Sequence, residues 1–218
     1  MLHLVTTLGR NADRTVRDEK KSRIRQSHVA PLNHLADHIA DAEGLPRGFV
    51  PYVDPDQGGV HARVLVLLDN PSTKAQAARD GGSGLLSLDN DDWTAKNCRE
   101  AYAANGIDWS QVVHWNVCPF PISRDNGGST AAERSRGARW TREMVDLLPE
   151  LEIVLCLGRA AEDGWKRAAV RRSLYIFPRG VPHCSRRGLA SPPARERFES
   201  AIAQLALMLK SSSDTVRR

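Results

Sequence analysis

The sequence predicts an α/β fold, a three-layer α/β/α sandwich around a mainly parallel four-stranded sheet, from three observations. First, Val64-Leu65-Val66-Leu67-Leu68 is an unbroken apolar run, too short for a stable helix and rich in strand formers. Such a run reads as a strand covered on both faces, as in a parallel sheet between helix layers. Second, strand and helix patterns alternate through the rest of the chain. Third, the strand patterns stop at polar corners, and the carboxyl edge of an open α/β sheet is where ligands bind.

Each element has its own signal. Residues 1–28 are polar and mostly basic, with Arg10, Arg14, Arg17, Lys20, Lys21, Arg23 and Arg25. They read as a solvated helix or an arm ahead of one domain over 29–210. Leu32, Leu35, Ile39 and Ala42 recur at spacings of three and four, an amphipathic helix closed by Gly44-Leu45-Pro46-Arg47-Gly48. Phe49 to Gly59, with two prolines and two glycines, reads as an irregular loop. Tyr52 in that loop either packs or lines a pocket. After the first strand, Pro71 cannot donate to a ladder and pushes Asn70 out of the helical region, so the chain turns there.

A long loop with Gly81-Gly82-Ser83-Gly84 follows, of a length that is usually functional or mobile. Asp91 or Asp92 caps a helix to about Asn105 with Ala95, Cys98, Ala101 and Tyr102 on its inner face, and Gly106 closes it. Val112 to Val117 is the second strand, ending at Asn116 and the corner Cys118-Pro119-Phe120-Pro121. A Ser/Gly-rich loop over Ser123 to Ser129 leads to a helix of roughly 130–148. Glu152 to Gly158 is the third strand, and Arg159 to about Ala169 a helix. Ser173 to Phe177 is a short fourth strand, and the loop from Pro178 to Leu189 follows it. The last helix runs from about Pro193 to Lys210, with Phe198, Ile202, Leu205 and Leu209 as its apolar stripe. Residues 211–218 are expected to be a disordered tail.

Composition bounds the function. The 218 residues, 41% hydrophobic and 26% charged, are ordinary for a globular domain. No stretch approaches the length of a membrane span, and Met1-Leu2-His3-Leu4-Val5 lacks a signal-peptide apolar region, so a cytoplasmic location is expected. Cys98, Cys118, Cys156 and Cys184 stand apart without a C-x-x-C pair, which removes the local zinc or iron–sulfur pattern; neither metal nor cofactor is expected. The first three read as core residues, and Cys184 stays open. The net charge of +5 is uneven: Arg159 to Arg218 holds 13 Lys or Arg against 5 Asp or Glu, and the rest 18 against 21. A basic third on a nearly neutral body suits a polyanion, nucleic acid above all, or is a solubilising face.

Three blocks in this order resemble the uracil-DNA glycosylase superfamily. Leu68-Asp69-Asn70-Pro71-Ser72 is similar to its first motif, a strand end followed by an acidic or amide residue and proline. Val113-His114-Trp115-Asn116-Val117-Cys118-Pro119 is similar to the strand whose asparagine reads the base. Pro182-His183-Cys184-Ser185-Arg186-Arg187-Gly188-Leu189 is similar to its histidine–proline–serine–proline loop. Leu151 to Ala161 also fits the apolar strand ending in Leu-Gly, and the likeness covers roughly Phe49 to Leu209.

The resemblance implies a DNA glycosylase removing uracil or a related deaminated base, acting as a monomer on DNA. Asn70 would hold the attacking water, positioning rather than deprotonating it, with Pro71 fixing its direction. Asp69 is a rival carboxylate or a turn cap. Asn116 would match a pyrimidine edge with its amide, or else satisfy loop backbone. His183 would hydrogen-bond the base carbonyl that gains charge. Ser72 and Ser185 would contact phosphates, Arg186 and Arg187 would clamp the backbone, and Leu189 would fill the gap left by the rotated base. Trp93, Phe120 and Tyr52 are the candidates for stacking on the base. Ser72 stands where many members have glycine, and Cys184 and Arg186 replace both prolines of the third motif. Two other readings are carried: a DNA- or nucleotide-binding protein of this fold without catalysis, and an unrelated α/β enzyme using Cys184 as nucleophile with His183.

Overall fold

The computed structural model describes residues 9–122 and 127–215. The elements are α1 (Arg14–Ser22), α2 (Ala30–Ala42), β1 (Tyr52–Val53), β2 (Val64–Leu68), β3 (Leu85–Leu86), α3 (Trp93–Asn105), β4 (Val112–Asn116), α4 (Ala131–Asp146), β5 (Ile153–Cys156), α5 (Arg159–Ala168), β6 (Tyr175–Ile176) and α6 (Pro192–Thr215). Local chemistry sets their ends. Asp92 caps α3 by accepting from the Ala95 N–H, and Gly106 closes it in the left-handed region at φ 67°. Thr130 and Glu133 form a reciprocal capping box on α4. The last helix continues past the expected end at Lys210 to Thr215.

The main sheet has the order β4-β2-β5-β6 and is parallel throughout. Alternation along each strand divides the core in two. Leu65, Leu67, Val113, Trp115, Val154 and Cys156 face one side, under Leu32 and Ile39 of α2, Trp140 and Met144 of α4, and Ala161 of α5. Val64, Val66, Val112, Ile153 and Leu155 face the other, under Cys98 and Tyr102 of α3 and Phe198, Ile202 and Leu205 of α6. This is the three-layer α/β/α sandwich. A second, two-stranded parallel sheet pairs Tyr52 with Leu85 and Val53 with Leu86. Two-residue strands inside Pro/Gly-rich segments carry no periodic signal, so both segments read as loop in the sequence.

The basic N-terminal stretch contributes a helix, α1, that is tied into the domain by one buried ammonium. Lys20 is fully buried, with its Nζ 2.7 Å from Asp54, 2.8 Å from Asp89 and 2.9 Å from Asp56. Burial opposes the ammonium, but the charge of Asp54 and hydrogen bonds to all three carboxylates raise its pKa above the ordinary lysine value. Burial likewise pushes Asp54 up, against the pull of Lys20. Arg23, 2.8 Å from Asp56, and Arg10, 3.5 Å from Asp89, extend the cluster to the surface. Removing one partner of such a cluster strands buried charge. Lys20→Met is expected to cost about 3–5 kcal/mol, read from the urea midpoint at constant slope; a loss under about 1 kcal/mol would show that the cluster is not holding α1.

Candidate functional site

The register of the sheet brings three strand ends together. Leu68 pairs with Asn116 across β2 and β4, and beyond that pair Val117 N–H donates to the Leu68 carbonyl and Cys118 N–H to that of Asp69, both at 2.9 Å. On the other side Leu157 N–H donates to Leu67, and Gly158 N–H to Val181 in the loop after β6. The chain after β2 leads to α3 on one face of the sheet, while the chain after β4 leads to α4 on the opposite face. That divergence opens a crevice at the end of β2.

A cavity of about 110 Å³ occupies the crevice. Its polar lining includes Asn70, Ser72, Asn90, Asp92, Asn116 and His183, and its apolar walls Leu68, Leu86, Leu88 and Ala95. The structure thus brings together Asn70, Asn116 and His183, which lie far apart in the chain.

These groups differ in how much hydrogen-bonding capacity is left. Asn116 is 4% exposed, and its Oδ1 has no partner among the described residues. An acceptor so buried and unpaired is costly unless a ligand or an ordered water supplies the donor. Asn70 is half-buried, with its Nδ2 only loosely placed at 3.4 Å from the Pro71 carbonyl. His183 Nδ1 accepts from the Ser185 N–H at 3.1 Å, so the neutral ring carries its hydrogen on Nε2. Burial holds its pKa below the ordinary histidine value, against the raising influence of Asp69 and Asp92. Gly158 sits at φ 93°, and a Cβ there would lie 3.0 Å from the His183 Cβ. Glycine is therefore what lets the end of β5 approach the histidine.

Other lining groups are already satisfied and act as walls. His114 Nδ1 donates to Gln57 Oε1 at 3.1 Å, and its Nε2 accepts from Tyr102 Oη, also at 3.1 Å. Asn90 accepts from Asn11 and donates to the Leu85 carbonyl, both at 2.9 Å. The position of Asp92 was legible only as a helix cap. In the structure its Oδ1 caps α3 at 2.9 Å from Ala95 N, while its Oδ2 accepts from Ser72 Oγ at 2.8 Å, both side chains lining the cavity. Among the described residues no lysine or arginine lines this space.

Several expected positions lie elsewhere. Leu189, expected as an exposed wedge, is 3% exposed and belongs to the core with Phe198 and Ile202 of α6. Phe120, expected to stack on a ligand, is 1% exposed in the opposite core, with the Arg136 guanidinium 4.2 Å from its ring centre. Tyr52 is outside the cavity, donating to Asp37 at 2.6 Å. Pro71 is buried behind the turn, its carbonyl accepting from Gln76 Nε2 at 2.9 Å. Asp69 is committed to Ser129, accepting from its N–H at 3.1 Å and also from its hydroxyl, which is the turn-capping reading. Ser185 Oγ accepts from the Gly188 N–H at 3.1 Å within its own turn.

Trp93 is 50% exposed on the first turn of α3, beside the cavity residues Asp92 and Thr94. Arg186 stands 5.5 Å and Lys96 5.6 Å from its ring centre. Arg186 and Arg187 are exposed and form no ion pair among the described residues. Cys184 is fully buried, its Sγ 3.3 Å from that of Cys98 and its carbonyl accepting from Asn97 Nδ2 at 2.7 Å. The hydrogen bond with Cys98 and burial push its thiol pKa well up, which is the wrong direction for a nucleophile. The loop portion 123–126 lies outside the described residues.

Among the described residues no group of three or more His, Cys, Asp or Glu could hold a metal ion, and no helix is long and apolar enough to cross a membrane. No known protein family matches the chain, and no curated protein matches it significantly. The burial of Leu189 separates a core role from a surface one: Leu189→Ala is expected to lose about 2–5 kcal/mol of stability in chemical denaturation, as core truncations do. Unchanged stability with weakened DNA binding would instead return Leu189 to the surface.

Proposed function

We propose that this protein is a monofunctional DNA glycosylase that rotates uracil or a related deaminated base out of DNA and hydrolyses its bond to deoxyribose. The observation that carries this is the convergence of Asn70, Asn116 and His183 on one cavity of about 110 Å³, with a buried, unpaired amide oxygen on Asn116. A cavity of about 150 Å³ holds benzene, so a space of about 110 Å³ is too small for a whole nucleotide and is at most of the scale of one ring.

Each group has a task that suits its chemistry. Asn116 offers an acceptor to an imide N–H and a donor to a neighbouring carbonyl on one planar amide. The Nε2–H of neutral His183 donates to the carbonyl oxygen that gains charge as the base departs, a fixed dipole aimed where charge develops. Asn70 orients water for attack on the sugar. In this reading exposed Trp93, next in the chain to Asp92 and Thr94 of the lining, stacks on a base as it enters, and Arg186 and Arg187 contact phosphates. The reading carries with it a cytoplasmic monomer acting on damaged DNA in base excision repair, with no cofactor.

The test is a gel assay of alkali-labile sites on uracil-, hypoxanthine- and xanthine-containing oligonucleotides, single- and double-stranded. Cleavage of at least one is expected, with Asn70→Ala, Asn116→Ala and His183→Ala each lowering it about 10²-fold or more. Salt-sensitive DNA binding without cleavage would instead mark a binding protein of this fold. Full activity in Asn70→Ala and His183→Ala together would discard this site even if the protein cleaves.

A further inference from the structure

We propose that Asp92, positioned by Ser72, is the base that takes the proton from the attacking water; this rests on the glycosylase reading. An amide at Asn70 can orient a water but cannot take its proton, so the cavity needs an acceptor the sequence motifs do not supply. Asp69 is set apart by position: it does not line the cavity, and its carboxylate is turned to the N–H and hydroxyl of Ser129. Asp92 is the carboxylate on the cavity wall among the described residues.

Its geometry suits the task. One oxygen is fixed by the Ala95 N–H of the helix end at 2.9 Å, the other by the Ser72 hydroxyl at 2.8 Å. Each carboxylate oxygen has two lone pairs, so both keep acceptor capacity toward the cavity. No cation pairs with it among the described residues, in contrast to Asp54, Asp56 and Asp89, each paired with Lys20. Its charge acts on His183 across the same space. A rigidly held carboxylate with unused lone pairs, beside a histidine that donates, is a separated base and acid pair.

The step balances without a further reactant. The water oxygen forms a bond to the sugar carbon while the bond from that carbon to the base nitrogen breaks. The electron pair leaves on the base, whose carbonyl oxygen is held by His183 Nε2–H. The water proton passes to Asp92 and can then be returned to the departing base. Ser72, the departure from the glycine of the resembling motif, becomes the residue that aims this carboxylate.

Asp92→Asn isolates the charge, because asparagine caps a helix as well as aspartate. It is expected to melt within a few degrees of the wild type and to lower kcat about 10²–10⁴-fold with little change in KM. It should also abolish the acid limb of the pH–rate profile. Ser72→Ala is expected to lower kcat about tenfold, the scale of one lost hydrogen bond of about 1.4 kcal/mol, again with KM little changed. Asp91→Asn, one residue outside the cavity, should leave kcat unchanged. A cleaving wild type with an equally active Asp92→Asn overturns the role of Asp92 and leaves the glycosylase reading standing. A rise in KM with the acid limb intact also overturns it, marking Asp92 as a binding group. A wild type that cleaves none of the three bases overturns both.

Discussion

The structure depends on the double burial of β2. Val64, Leu65, Val66 and Leu67 are fully buried, two on each face, and the strand is hydrogen-bonded to β4 on one edge and β5 on the other. Burying each such side chain is worth about 1.5–3 kcal/mol, and a polar group at any of these places would face only apolar neighbours. The strand can therefore carry no chemistry along its length. Its polar groups are displaced to the turn that follows, and the parallel register places the ends of β4 and β5 beside that turn. Asn116 and Gly158, and through Gly158 the backbone of His183, are where they are because β2 is where it is.

The far wall of the cavity is held by a different force. Leu86, Ser87, Leu88 and Asn90 come from a short segment with only two residues of strand pairing. That segment is fixed by charge and hydrogen bonds: Asp89 to Lys20, Ser87 to Asp54, Asn90 to Asn11 and to Leu85. Three cations from the N-terminal stretch, Arg10, Lys20 and Arg23, meet three carboxylates from two distant segments. The N-terminal helix is thus part of the frame of the site, although it contributes no side chain to the cavity.

Much of the sheet and most of its helices were legible because their signals are local. Five adjacent apolar residues mark β2, Asp92 and Gly106 bracket α3, and Thr130 with Glu133 opens α4. The convergence of Asn70, Asn116 and His183 was legible through motif order. What escaped needed three-dimensional partners. Lys20 is one lysine in a basic run, and nothing local separates it from Lys21, which has no place in the buried cluster. Leu189 follows Arg186-Arg187-Gly188 and so looks like an exposed tip, yet the chain turns back under α6. Phe120 sits at a strand-end corner as expected, but on the side covered by α4. Asp92 showed its capping oxygen in the sequence; its other oxygen is engaged by Ser72, twenty residues earlier.

The distribution of charge bears on which kind of ligand the cavity can take. Among the described residues the lining holds one carboxylate, two histidines, amides and hydroxyls, with no lysine or arginine, and burial lowers the pKa of His183. A phosphate drawn into that space would meet Asp92 with no compensating cation, at an unfavourable energy of about 4 kcal/mol for a separation of 4 Å near a protein surface. Positive charge lies outside, in the exposed Arg186 and Arg187 and the wider excess of the C-terminal third. A nucleotide held by its phosphates would require the reverse arrangement. A polyanion gripped from outside, with only a neutral ring passing inward, satisfies both regions at once. The same separation keeps the acceptors of the cavity available: an arginine within reach of Asp92 would occupy the lone pairs that a water proton needs. The lack of a cation among the described lining residues and the fixing of Asp92 by the uncharged hydroxyl of Ser72 are therefore two parts of one electrostatic arrangement.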